Sequence, residues 1–155
     1  MNREISVVAV VFRDGKLLCV RLKPHKGETN VSENEWWCLP GGGLEDGEGL
    51  IEGLKREMIE ETGVRIDVGN LLYIQQYATA NPSLEHLEFF FHVKNANDFL
   101  NIDLSKTSHG ETEIAEIKFV DPITTTILPD FLTTVNIATK IQAEESPTLF
   151  NLLTK

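Results

Sequence analysis

Two cysteines, two tryptophans and no long apolar run set the first limits on this chain of 155 residues. Cys19 and Cys38 are too few for a disulfide framework. Both sit among apolar residues, the setting of buried thiols rather than of a redox pair or a metal site. No apolar stretch approaches the length of a membrane span, and Met1-Asn2-Arg3-Glu4 does not open a signal peptide, so a cytoplasmic location without membrane association is expected. Basic residues are also scarce. Fourteen Lys and Arg stand against 24 Asp and Glu, a net charge of -10. A chain this acidic lacks the basic face that nucleic-acid binding requires. Small nucleotides stay open, because metal ions held by acids can supply the positive charge that a polyphosphate needs. There is no internal repeat and no low-complexity segment, and the length fits one domain over residues 1–155.

What is present centres on Gly42 to Val64, which starts as a glycine-rich loop and continues as a helix. Residues 49–62 contain no proline, and Gly63 stands where a left-handed terminal residue is expected. At about 100° per residue, Leu50, Ile51, Leu54 and Met58 share one apolar arc. Glu57 flanks the edge of that arc, and Glu60 lies somewhat further round. Glu61 falls inside it, about 20° from Leu50, where a carboxylate is not simply a solvated charge. Glu57, Glu60 and Glu61 also repel one another at these spacings. Hard oxygen donors along one helix edge suit Mg²⁺ or Mn²⁺, which complete their shells with water and substrate phosphates. Gly53 costs the helix about 1 kcal/mol relative to Ala, and its missing side chain would let the preceding loop approach. A solvated acidic helix is the plainer alternative for the glutamates.

The spacing of the whole stretch decides between these readings. It fits Gly-x5-Glu-x7-Arg-Glu-U-x-Glu-Glu-x-Gly-U, with Met58 and Val64 at the apolar U positions. This resembles the box of the Nudix (MutT-like) hydrolase superfamily at every defining position. The resemblance implies a Nudix fold, that is, an α/β/α sandwich with a central mixed β-sheet. It also implies Mg²⁺- or Mn²⁺-dependent hydrolysis of a nucleoside diphosphate linked to another moiety. Carried over residue by residue, Glu57, Glu60 and Glu61 become metal ligands, with the carbonyl of Gly41 as a further ligand. Arg56 would orient the helix by pairing with Glu48. In the superfamily a further carboxylate often reaches the metals from a later loop or strand. Glu113 matches that place best, with Glu111 next, and an ordinary surface Glu is the alternative.

Outside this stretch, residues 5–12 read as a buried strand, Asp14-Gly15 as a turn and residues 16–23 as the second strand of a hairpin. Arg21 is a candidate phosphate contact, or else part of a solvated sheet face. Lys26, with His25, lies on the long polar loop 24–35 and is a second candidate substrate contact. Trp37 is a third, bordering a nucleotide pocket if it is not core. Residues 65–77 read as one or two strands broken near Gly69-Asn70, and 85–94 as a strand buried on both faces by Phe89, Phe90 and Phe91. Tyr73, Tyr77, Phe89 or Phe91 could stack on a base, although core packing is the simpler role for each. Residues 95–112 read as a polar loop, 113–120 as a half-buried strand, and 131–141 as an amphipathic helix. The apolar tail 149–153 would pack on the sheet or meet a second subunit.

The expected architecture is a mixed sheet between the box helix and the C-terminal helix. The expected activity is nucleoside triphosphate pyrophosphohydrolysis, chosen because the chain is compact and has no added N-terminal domain. ADP-ribose, ADP-sugar or dinucleotide pyrophosphatase activity is the alternative, and a non-catalytic nucleotide-binding module is the alternative of another class. The expected partner is a small nucleotide, and the chain acts as a monomer or homodimer.

Overall fold

The computed structural model describes residues 2–24, 36–80 and 83–153. Its dividing element is β1 (Asn2–Val10), whose apolar run serves two cores at once. Successive strand side chains point to opposite faces. Val7, Ala9 and the following Val11 enter one core, while Val8 and Val10 enter the other. The chain then passes to a second sheet. Val11 separates β1 from β2 (Phe12–Arg13), which pairs with β3 (Lys16–Leu22) across Asp14-Gly15. The expected single strand 5–12 therefore ends at Val10, because Phe12 and Arg13 bond to Leu17 and Lys16 rather than to the neighbours of β1.

Two short strands, β4 (Trp37–Cys38) and β5 (Gly41–Gly43), lead to the helix α1 (Leu50–Thr62). Gly63 closes α1 at φ 75°, and its amide bonds to the Ile59 carbonyl. Leu54 and Met58 are fully buried against Val7, Ala9 and Val11. Each such burial contributes about 1.5–3 kcal/mol. The next strands, β6 (Val68–Thr79) and β7 (Leu84–Val93), pair antiparallel. The expected break near Gly69-Asn70 is absent. β6 absorbs it as register irregularities between Val68 and Tyr73 and continues. Phe90 faces one core while Phe89 and Phe91 face the other.

Residues 95–112 are more ordered than a polar loop. They hold 3-10 turns at Ala96–Phe99 and Leu104–Lys106 and the start of α2 (Gly110–Glu113). Buried Phe99 anchors the first turn, and the Asp103 carboxylate accepts the Ser105 amide to cap the second. β8 (Ile114–Val120) then pairs with β3, and β9 (Ile127–Leu128) runs parallel to β4.

The expected helix over 131–141 is two pieces. A 3-10 turn, Asp130–Thr133, sinks Phe131 and Leu132 into the core, and α3 (Ile137–Gln142) begins afresh. The hydroxyls of Thr133 and Thr134 bond back to the carbonyls of Asp130 and Phe131, and the Asn136 side chain caps the new helix by accepting the Thr139 amide. The tail forms β10 (Thr148–Asn151), parallel to β6, so it extends the sheet.

Among the described residues, the first sheet runs β10-β6-β7-β1-β5 with parallel and antiparallel pairs mixed. Its α1 face holds Leu54 and Met58, and its opposite face holds Phe131, Leu132 and Ile137. This is the expected mixed sheet between two helical layers. The second sheet, built on β3 and β8, is an addition to that expectation.

Candidate functional site

Arg56 organises the end of the sheet where α1 meets the glycine loop. Its Nε donates to Glu48 Oε2 at 2.7 Å and its Nη2 to Glu48 Oε1 at 2.9 Å, a two-pronged pair. Nη2 also donates to the Gly43 carbonyl at 3.1 Å, which ties α1 to β5. Nη1 lies 3.0 Å from Glu57 Oε1 and 3.1 Å from Glu60 Oε2. One guanidinium thus holds loop, strand and two helix carboxylates together. Close approach explains two glycines. A Cβ at Gly53 would collide with Leu44 Cδ2 and press on Glu48, and one at Gly42 would strike the Glu57 carboxylate.

Glu61 is the residue that helix periodicity placed inside the apolar arc, and it is 6% exposed. The Gly41 amide lies close enough to favour its charged form, yet its Oε2 has no partner. Burial first, and then the charges of Glu57 and Glu113, push its carboxyl up to about 8. Burial also raises Glu57, with the Arg56 hydrogen bond opposing. The Arg56 hydrogen bond has the reverse effect on Glu48 and holds it down to about 2.

Glu113 joins this group from α2. Lys23 fixes its position, because the Lys23 amide donates to the Glu113 carbonyl at 2.9 Å and its Nζ to the Glu111 carbonyl. The His109 amide bonds to the Glu60 carbonyl at 2.9 Å, which docks the start of α2 on the end of α1. Glu111 is exposed, with only its carbonyl engaged.

Among the described residues, no three acidic, histidine or cysteine groups converge as a ready chelate. Arg56 occupies Glu57 and Glu60, and Glu61 is turned to the Gly41 amide. The chemistry of the set still fits a hard divalent cation. Its donors are all oxygens, and a buried carboxylate oxygen without a partner costs free energy that a cation would offset.

Glu61, Gly41 and Gly42 border a cavity of about 750 Å³ lying over the Phe90 face of the first sheet. Its apolar wall includes Phe131 and Phe150, which stack with centroids 4.2 Å apart and planes at 16°. Its sheet side carries a polar row, Gln75 on β6, Glu88 on β7 and Ser6 on β1, side by side in register. Gln75 Nε2 donates to Glu88 Oε1 at 3.0 Å. Tyr77 lines the cavity next to this row and stacks on His86 at 4.5 Å.

Of the expected site residues, Arg56 gathers Glu48, Glu57 and Glu60, the Glu113 charge acts on Glu61, and Gly41 and Glu61 line the cavity. Arg21 and Trp37 do not line it. Arg21 lies 3.4 Å from Glu116, and Trp37 packs against the core with Lys118 Nζ 4.9 Å from its ring centroid. Lys26, like His25, lies outside the described residues. Phe89 and Phe91 face the α1 core, and Tyr73 is buried, which leaves Tyr77 as the cavity-lining member of that group. Glu88 and Gln75 were not anticipated. The available signal was a charge at Glu88 inside the apolar strand Leu87 to Phe91.

Fold and site together define a class: an α/β sandwich whose first helix carries a carboxylate cluster onto a cavity. The family model for the NUDIX domain matches residues 2–132, and the chain belongs to that family. It is 40% identical over 77 residues to a MutT-like protein of Streptomyces ambofaciens, covering 49% of this chain and 44% of that protein. It is 29% identical over 91 residues to the phosphatase NudJ of Escherichia coli strain K12, covering 59% and 54%. The chain therefore spans about half the length of these curated relatives. Among solved structures, a MutT NUDIX hydrolase from Burkholderia pseudomallei aligns with a TM-score of 0.62 at 16% identity, over 86% of this chain and 98% of that one. An ADP-ribose pyrophosphatase from Streptococcus suis aligns with a TM-score of 0.57 at 16% identity, over 95% and 98%. At these identities the structural likeness is one of fold. Among the described residues no helix is long and apolar enough to cross a membrane.

Proposed function

We propose that this chain hydrolyses a phosphoanhydride bond in nucleoside diphosphate-linked compounds, and that its substrates are nucleoside triphosphates, cleaved to monophosphate and pyrophosphate. The observation that carries the reading is Glu61, a buried carboxylate with an unpartnered oxygen on the wall of a nucleotide-sized cavity, beside Glu57, Glu60 and Glu113. Glu57, Glu60 and Glu61, with Glu113 and the Gly41 carbonyl, would hold Mg²⁺ or Mn²⁺. When bound, such ions neutralise the polyphosphate and activate water.

The chain's own residues do the rest. Arg56, locked to Glu48 and Gly43, sets the position of α1 and holds Glu57 and Glu60, which would leave it to hold a cation. Gly42 lets the loop backbone lie against Glu57. Water forms the new bond to phosphorus as the anhydride oxygen departs with pyrophosphate, and the water's proton passes to a carboxylate oxygen of the cluster. The cavity receives the nucleoside and excludes bulk water from one side of the reaction.

ADP-ribose or ADP-sugar cleavage is the second reading, favoured by the cavity's size and by the shared fold with the ADP-ribose pyrophosphatase. The test is phosphate release with Mg²⁺ or Mn²⁺ from a panel of nucleoside triphosphates, ADP-ribose, NADH and dinucleoside polyphosphates. Each reaction is read with and without added pyrophosphatase, beside a Glu60→Gln/Glu61→Gln control. Signal from triphosphates that requires pyrophosphatase and vanishes in the control is expected. Selective ADP-ribose cleavage selects the second reading. A silent panel with nucleotide binding intact makes the chain a binding module.

A further inference from the structure

The end of the cavity away from Glu61 carries a recognition surface that hydrolysis does not use. Glu88 and Gln75 sit there on neighbouring strands. Gly41, which lines the cavity with Glu61, pairs with Val8 on β1, and Glu88 lies one strand further and two residues along, beside Ser6. Two strand spacings and two residues put about 12 Å between the Gly41 and Glu88 backbones, comparable with the reach of a nucleotide from phosphate to base. Burial raises the Glu88 carboxyl while the Gln75 hydrogen bond opposes it. That bond also fixes the carboxylate, since Gln75 is itself 5% exposed and donates to Oε1 alone.

The wall over this row comes from the tail of the chain. Phe150, on β10, lies beside Gln75 in register and stacks on Phe131. β10 is held by Lys140, a buried ammonium that bonds to Glu145 Oε1, the Ser146 carbonyl and Thr148 Oγ1, each at 2.9 Å. Both Lys140 and Phe150 lie beyond residues 2–132, the part matched to the family.

We propose that Glu88, positioned by Gln75 and walled by Phe131 and Phe150, reads the base of the nucleotide and selects guanine. An ionised carboxylate offers two acceptor oxygens and no donor. Among the common bases, only guanine presents two adjacent N–H donors, N1–H and the 2-amino group, on one edge. Adenine and cytosine place an acceptor beside their amino group, and uracil flanks its single N–H with carbonyls. Either arrangement sets an acceptor against a carboxylate oxygen. The stacked phenylalanines supply an apolar, aromatic flank for the ring. The inference deepens the proposed reading and rests on its placement of the phosphates at Glu61.

The test is calorimetric binding of GMP, IMP, AMP and CMP to the whole chain without divalent cation, so that turnover plays no part. GMP is expected to bind about tenfold or more tighter than AMP or CMP. IMP, which lacks the 2-amino group, should bind several-fold more weakly than GMP. In Glu88→Gln the GMP to IMP ratio should collapse towards one, while Phe150→Ala should weaken all four without reordering them. Glu61→Gln should keep the wild-type ranking, which separates base reading from hydrolysis. Equal binding of the four, preference for AMP or CMP, no detectable binding of any, or a ranking unchanged in Glu88→Gln overturns the proposal. If Glu88→Gln does not fold, as judged by its circular dichroism, the wild-type order of GMP, IMP and AMP decides alone.

Discussion

Arg56 is where electrostatics and architecture meet in one side chain. Its fork on Glu48 lowers that carboxyl from an ordinary value of 4.5 to about 2, and the Glu45 amide at 3.1 Å from Glu48 Oε1 adds to the effect. The sign of the resulting pH dependence follows by linkage. A carboxyl with a folded value below its unfolded one contributes stability that is fully present above the unfolded value. That stability is lost as pH falls through the folded one. For Glu48 the window runs from about 4.5 down to about 2. Thermal melts of wild type and Glu48→Gln across this range should show the variant less stable at pH 7 and the two curves converging towards pH 2. A constant gap would mean that the pair contributes packing rather than charge. The box residues were legible because their spacing is local and dense: Arg56 lies eight residues from Glu48, within one loop and two helix turns. Glu88 was not legible as a site residue. Its meaning depends on Gln75, thirteen residues away across a strand pairing, and on Phe150, which comes from the end of the chain.

Among the elements, α1 shows how a local cost serves a long-range contact. Gly53→Ala should gain about 1 kcal/mol in helix propensity. Against this, the added methyl meets Leu44 Cδ2 and Glu48 Oε1. Leu44 can rotate away, but Glu48 cannot move without opening the fork to Arg56. Overpacking of this kind costs about 1–3 kcal/mol, so a net loss of up to about 2 kcal/mol is expected. Denaturant unfolding measures it directly. A stabilised variant would show that loop and helix are less closely fitted than their geometry implies. The same contrast explains which elements were readable. α1 has a 3.6-residue period, a terminal glycine and no competing pairing, so its limits came within a residue. β6 read as broken because Gly69-Asn70 is a turn signal, which pairing with β7 overrides. The helix over 131–141 read as continuous because its apolar residues keep a helical period. The Asn136 cap and the threonine back-bonds, which split it, are contacts that a periodicity does not contain. β10 could not be separated from a subunit contact because parallel pairing to β6 joins residues about 75 positions apart.

For the whole molecule, the net charge of -10 and the carboxylate cluster set an order of events. A triphosphate approaching Glu57, Glu60 and Glu113 without a cation brings like charges together in a partly buried site, where screening by solvent is weak. The Glu88 end of the cavity, with Glu4 near it, carries the smaller group of carboxylates among the described residues. Cation and polyphosphate should therefore bind with strong positive coupling, and a nucleoside monophosphate should couple far less. Titration of a non-hydrolysable GTP analogue with and without Mg²⁺ should show at least about tenfold tighter binding with the ion. By reciprocity the analogue must tighten Mg²⁺ binding by the same factor. Mg²⁺ should also raise the melting temperature of the wild type, as any ligand of the folded state does, but not that of Glu61→Gln. The variant, relieved of a buried carboxylate without a full set of partners, should melt higher than wild type in the absence of metal. Equal analogue affinity with and without Mg²⁺ would place the polyphosphate away from these carboxylates. A variant that melted lower without metal would mean that Glu61 already has its partner in the folded chain, and that the nearby Gly41 amide is enough to hold the charge there.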